Sequence, residues 1–248
     1  MMKKIIMVVF TLLLCAHYFT HQYISAQNST LTPQATIKLN SILKAYKPST
    51  YTCLPPINRT TYNPMGGNER LQLACLLNGN KPVVLTEYKI ADLLFGPDMD
   101  AILTHKNIKK LTFKLPHLIY DAIFYSPQGE RDALLLLKSI FTKNDSDYLW
   151  GILLGYGQSN VELFYELDGF ETWLRDTGYD GSLPDRSEFT IWPVAMKQKF
   201  RTFKKTWLHS PTYKKYKQDK TNAEQWIKAH AQFSVDDLYK QITPFLSK

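Results

Sequence analysis

The most apolar run in the chain, residues 5–16, lies at its very start, and everything downstream must fold without another of its kind. The run is about 12 residues long with Thr11 as its one polar interruption. As a helix it is too short to cross the ~30 Å hydrocarbon core of a bilayer. Lys3 and Lys4 precede it, and a more polar stretch follows that ends in Ile24-Ser25-Ala26. A basic start, an apolar middle and a small residue at the cut are the parts of a secretory signal peptide. Cleavage is expected near Ala26, releasing a secreted or periplasmic chain of 222 residues, 27–248. Leu14 before Cys15 fits lipoprotein processing poorly. No later segment reaches 18 consecutive apolar residues, so no membrane span is expected after the leader. The length suits one domain with a sizeable core.

Export bears on the cysteines. With Cys15 gone, Cys53 and Cys75 remain, 22 residues apart. An even pair in an oxidising compartment is expected to form a disulfide, and closing that loop would stabilise by roughly 3 kcal/mol. A nucleophilic cysteine is the rival reading; the absence of CxxC and of a third mature cysteine speaks against a redox cycle.

Charge is distributed unevenly. The formal net charge of +8 becomes +6 when Lys3 and Lys4 leave. Residues 162–188 hold eight acids against Arg175 and Arg186, and residues 197–220 hold nine bases against Asp219. Adjacent segments of opposite sign can pair inside one fold or present a basic patch to a partner.

Local patterns predict mostly helix. Thr32-Pro33 reads as an N-cap with proline at the first helical position, followed by Ala35, Leu39, Ile42, Leu43 and Tyr46 on one face. A short helix is expected over about 68–77. Residues 82–88 and 111–115 read as strands, 189–194 as a third. Leu118, Ile119, Ala122 and Ile123 fall at helical spacing. Ser126-Pro127 opens another helix, whose residues 134–140 belong to the core. Residues 147–154 fit helix or strand. Gly155 and Gly157 then break the chain, and Ser159 or Asn160 caps a helix running to about Arg175. Met196, Phe200, Phe203 and Trp207 recur at i, i+4, i+7 and i+11, one apolar stripe of a helix. Ser210-Pro211 restarts the chain, Thr221-Asn222-Ala223-Glu224 matches a capping box, and residues 234–237 nearly do. The expected fold is α+β, predominantly helical, with a small sheet of about three short strands. It forms one mature domain with a basic helical C-terminal layer, 196–248.

The turn at Gly155-Tyr156-Gly157, with Asn160, imitates a dinucleotide-binding loop. Its third glycine is replaced by Asn160, and an exported protein seldom meets free nicotinamide nucleotide, so no nicotinamide cofactor is expected. The alternatives are a tight turn between packed elements, or a small ligand at the helix start. The run Gly151-Ile152-Leu153-Leu154-Gly155-Tyr156-Gly157, with Asn160 and Phe164, resembles a segment of uncharacterised exported bacterial proteins. The resemblance covers about 15 residues and implies a bacterial envelope or secreted setting, with no activity attached.

Other chemistry leaves little trace. His105, His117, His209 and His230 are scattered, and there is no HExxH, so no metal site is expected. There is no GxSxG. The basic segment is the strongest functional signal: Lys197, Arg201, Lys204, Lys205, Lys214 and Lys215 lie among Phe200, Phe203, Trp207, Tyr213 and Tyr216. Such a segment can lie on an anionic lipid surface or track another polyanion, and a protein partner is also compatible with it. If the aromatic stripe is core, only the cations face outward. The expected function is binding of an anionic surface or macromolecule without a cofactor. The alternative is an exported hydrolase with a site near the 155–160 turn and the acidic 162–188 segment.

Overall fold

Four consecutive apolar residues, 122–125, form the centre of the fold. The computed structural model describes residues 31–44, 67–115, 119–144, 146–181 and 192–246. Residues 1–30, the stretch around Cys53 and residues 182–191 lie outside the described residues. Strands β1 (Val83–Thr86) and β2 (Lys109–Thr112) flank β3 (Ala122–Tyr125) in an antiparallel sheet of order β1-β3-β2. Val84 faces Phe124 across one ladder and Leu111 faces Ile123 across the other.

Because side chains alternate across a strand, β3 divides its residues between two cores. Ala122 and Phe124 join Val84 and a helical layer on one side. That layer comprises α1 (Pro33–Leu43), α2 (Gly67–Leu77), α3 (Tyr88–Phe95) and α4 (Met99–His105). Ile123 and Tyr125 join Val83 and Leu111 on the other. There they meet α5 (Glu130–Phe141), α6 (Asp147–Leu153), α7 (Gln158–Asp176), α8 (Val194–Lys204), α9 (Pro211–His230) and α10 (Val235–Ile242). The architecture is therefore predominantly helical α+β, as the periodicities predict, with helices on both faces of one small sheet.

The helix starts follow their caps. Thr32 Oγ1 accepts from the Ala35 amide at 3.1 Å, Ser146 from Leu149 at 3.1 Å, and Ser210 from Tyr213 at 3.0 Å. Ser234 and Asp237 form a full capping box at α10, which satisfies amides that a helix start would otherwise leave unpaired. At the other end of α9, Arg131 donates to the carbonyls of Phe233 at 2.7 Å and His230 at 2.8 Å, fastening α5 to the α9–α10 joint.

Several expectations are corrected. Ala122 and Ile123 belong to a strand, not a helix: both faces of β3 are buried, so its pattern is a continuous apolar run that periodicity cannot distinguish from buried helix. The second strand begins at Lys109 and ends at Thr112, and Phe113 instead bridges to Leu246. Of the segment expected as a third strand, Val194 starts α8, and residues 189–191 fall outside the described residues. Thr221 opens no helix. It lies inside α9 and its hydroxyl donates to the Lys217 carbonyl at 3.0 Å, a common alternative use of a helical threonine. Trp207 lies beyond α8, in the 3-10 turn Trp207–His209.

Candidate functional site

The aromatic stripe is core. Met196, Phe200, Phe203 and Trp207 are all buried. Phe170 of α7 meets Phe200 edge-on at 5.2 Å between ring centroids and Phe203 at 5.6 Å, and Trp207 stands 5.8 Å from Phe203 and 5.4 Å from Tyr213. A single glycine lets α7 approach this cluster. A Cβ on Gly169 would lie 3.0 Å from the Trp207 ring, 3.1 Å from the Phe203 ring and 3.2 Å from Thr212 Cβ. Burying the stripe fixes the direction in which the remaining faces of α8 and α9 point.

The six cations expected as a binding set divide into different roles. Lys204 is ion-paired with Glu166 of α7. Lys215 lies 3.5 Å from Asp147 of α6 and 5.7 Å from the centre of the Tyr165 ring. Lys204 therefore ties the basic layer to the acidic segment, while Lys215 ties it to the start of α6. Lys197 is half-buried. Arg201, Lys205 and Lys214 are exposed and have no ion pair among the described residues. The outward basic surface thus reduces to these three, flanked by Lys199 near the Tyr179 ring and Lys217 near the Tyr213 ring.

Glu166 is 8% exposed, and burial lifts its carboxyl above the ordinary value of 4.5, with Lys204 opposing the lift. A carboxyl raised in this way contributes stability that is full below its unfolded pKa and is lost as pH rises through the folded value. Stability scans from pH 4 upward should therefore fall through this window in the native chain and flatten in Glu166→Gln. At pH 7, Lys204→Met leaves a buried carboxylate without its cation and should cost about 2 kcal/mol in urea denaturation, below the range for a fully buried pair because Lys204 is partly solvated. Adding Glu166→Gln to it should recover most of that loss.

The 155–160 turn is a packed joint. Gly155 has φ +78°, and a Cβ there would meet Pro82 Cδ at 2.6 Å. Gly157 has φ +74° and caps α7 without a side chain. Asn160 does not cap that helix, since its amide donates back to the Tyr156 carbonyl at 2.8 Å. The Tyr156 hydroxyl donates to Gln72 at 3.1 Å, and the Lys81 ammonium lies 3.3 Å from the centre of its ring. Lys81 is 1% exposed. Nothing in the sequence marks this lysine, because its burial depends on α2, β1 and the turn meeting. The element before the turn is helix α6 rather than the strand a dinucleotide loop requires.

Two shallow grooves flank α9. One, of about 320 Å3, is lined by Gln158 and Glu162 of α7 and by Tyr213, Tyr216, Lys217 and Glu224 among residues of α9. Burial and the neighbouring Glu162 push the Tyr216 hydroxyl up to about 12. The other, of about 340 Å3, lies between the start of α6 and α9, where Asp147, Lys215 and Asp219 meet. Asp219 accepts from the Tyr165 hydroxyl at 2.6 Å, so this acid also joins α9 to α7.

No group of three or more His, Cys, Asp or Glu among the described residues is placed to hold a metal ion. Cys75 is buried in α2, and its expected partner Cys53 lies outside the described residues. No helix among the described residues is long and apolar enough to cross a membrane. No family model matches the chain, and no curated protein or solved structure matches it.

Proposed function

We propose that this chain is an exported bacterial protein that acts by binding an anionic surface or macromolecule through the outer face of α8 and the start of α9. The observation that carries this reading is the exposure of Arg201, Lys205 and Lys214 on a layer whose aromatic side is locked into the core. Packing holds the backbone that carries them, so contact has to order only the exposed side chains themselves, which lowers the cost of binding. Export through the leader, residence outside the cytoplasm and a Cys53–Cys75 disulfide belong to the same proposal.

The test is cosedimentation with phosphatidylglycerol-containing vesicles and with dextran sulfate at low salt. Each cation close to an anionic surface contributes about 1 kcal/mol. Neutralising Arg201, Lys205 and Lys214 to Gln should therefore weaken binding roughly 100-fold. Binding should also weaken as salt rises. Absence of binding by the native protein to either probe would overturn the proposal.

A hydrolytic site near the acidic segment is the second reading, and one observation favours it: Glu162 and Glu224 line the same groove. Paired carboxylates across a cleft can serve as acid and base. Glu224, however, lies 3.9 Å from Lys220, and Tyr156 faces inward. The binding reading accounts for more of the surface.

A further inference from the structure

Two exposed aliphatic residues bracket the basic segment: Val194 opens α8, and Leu208 lies in the 3-10 turn beyond it. Val194 is 72% exposed and Leu208 is 60% exposed. At about 100° per residue, Val194, Lys197 and Arg201 fall within roughly 60° of one another around the axis of α8, and past its end Lys205 and Leu208 are exposed as well. The buried stripe of α8, Met196, Phe200 and Phe203, is centred roughly 130° away. Past the end of α8, the 3-10 turn Trp207–His209 places Trp207 in the core and leaves Leu208 exposed. Helix α8 itself, VAMKQKFRTFK, holds four cations and no acid.

We infer that α8 lies flat on an anionic lipid surface, with Arg201 and Lys205 over the headgroups and Val194 and Leu208 seated in the headgroup–acyl boundary at either end. The inference rests on the binding reading above and names the partner of that same face. Charge complementarity supplies the attraction, since the row between the two aliphatic residues is cationic. The aliphatic ends select lipid over the other polyanions. A nucleic acid or an acidic polysaccharide has phosphate, sulfate or carboxylate for the cations but no apolar phase for valine and leucine. Stacking on bases would need exposed aromatic rings, and those of α8 are buried. An interfacial helix, by contrast, combines cations on its polar side with apolar groups that enter the bilayer by 5–10 Å.

The experiment compares the native chain with Val194→Ser, Leu208→Ser and the double variant on phosphatidylglycerol-containing vesicles and on dextran sulfate. Both residues are exposed, so the variants keep the fold. Each single change should weaken vesicle binding about 10-fold, scaled from the apolar area a side chain of this size withdraws from water. The salt dependence and the binding to dextran sulfate should stay as in the native chain. An environment-sensitive fluorophore on Leu208→Cys should shift to the blue on vesicles and be quenched by a lipid-borne quencher. Vesicle binding that survives the double variant, with the fluorophore still in water, overturns this inference and leaves the anion-binding reading standing. Binding to dextran sulfate without vesicle binding overturns it in favour of a soluble polyanion. Binding to neither probe removes both.

Discussion

Phe203→Ala should lower the stability of the folded protein by about 4 kcal/mol, the range expected when a fully buried aromatic ring is removed. Phe203 is 1% exposed, and its ring contacts those of Phe170, Trp173, Phe200 and Trp207. Each contact is lost outright on truncation, and the helices around the cavity are held by other residues and close it only in part. For a chain of this size the melting temperature should drop by roughly 10 °C. Urea denaturation and a thermal scan check the value. The measurement also bears on function. If α8 presented its aromatic side to a partner, truncation would cost little stability and much binding. The packing predicts the reverse: a large loss of stability, and vesicle binding retained by whatever fraction stays folded.

Gly129→Ala should be nearly as damaging, at about 3 kcal/mol, for a reason unrelated to backbone freedom. Gly129 has φ −91°, which any residue adopts. A Cβ there would nevertheless lie 2.3 Å from the Pro82 carbonyl oxygen and 2.8 Å from Val83 Cγ2. That oxygen already accepts from the Ser126 amide at 2.9 Å, in the joint that carries the chain from β3 into α5. Relief would have to come from moving backbone at the edge of the central sheet. Gly178→Ala is the control. Gly178 closes α7 with φ +76°, its amide donating to the Arg175 carbonyl and that of Tyr179 to Leu174, and no atom stands within 4 Å of its missing Cβ. Only conformational strain of about 1 kcal/mol should appear. Comparable losses at the two positions would contradict the close contact at Gly129.

The helices were largely legible because their signals are local. Thr32, Ser210-Pro211 and the Ser234 box mark starts with groups that act within four residues, and these marks hold in the structure, whereas Ser126-Pro127 opens only the 3-10 turn Pro127–Gly129, without a side-chain cap bond, before α5. The same signal misleads at Thr221, where a matching motif sits within a helix that has already formed and the hydroxyl bonds backward. The central strand was not legible for a different reason. Alternation reports a strand only when one face is wet, and β3 is covered on both.

The basic face was legible as composition but not as a site. Sequence could name nine cations between 197 and 220. It could not say that Lys204 meets Glu166 and Lys215 meets Asp147, because those pairs span 38 and 68 residues. Nor could it mark Val194 and Leu208, which are ordinary aliphatic residues until their neighbours turn inward.

What the sequence determined by itself, then, was the mostly helical α+β character of the chain, the helix starts and the sign and position of its charged segments. All of these follow from interactions within a turn or two of chain. The tertiary structure alone decided that β3 sits between two cores and that the α8 aromatics pack against Phe170. It also decided that two of the six expected binding cations are held by distant acids. These outcomes depend on which surfaces meet across tens of residues, and no local pattern encodes that meeting.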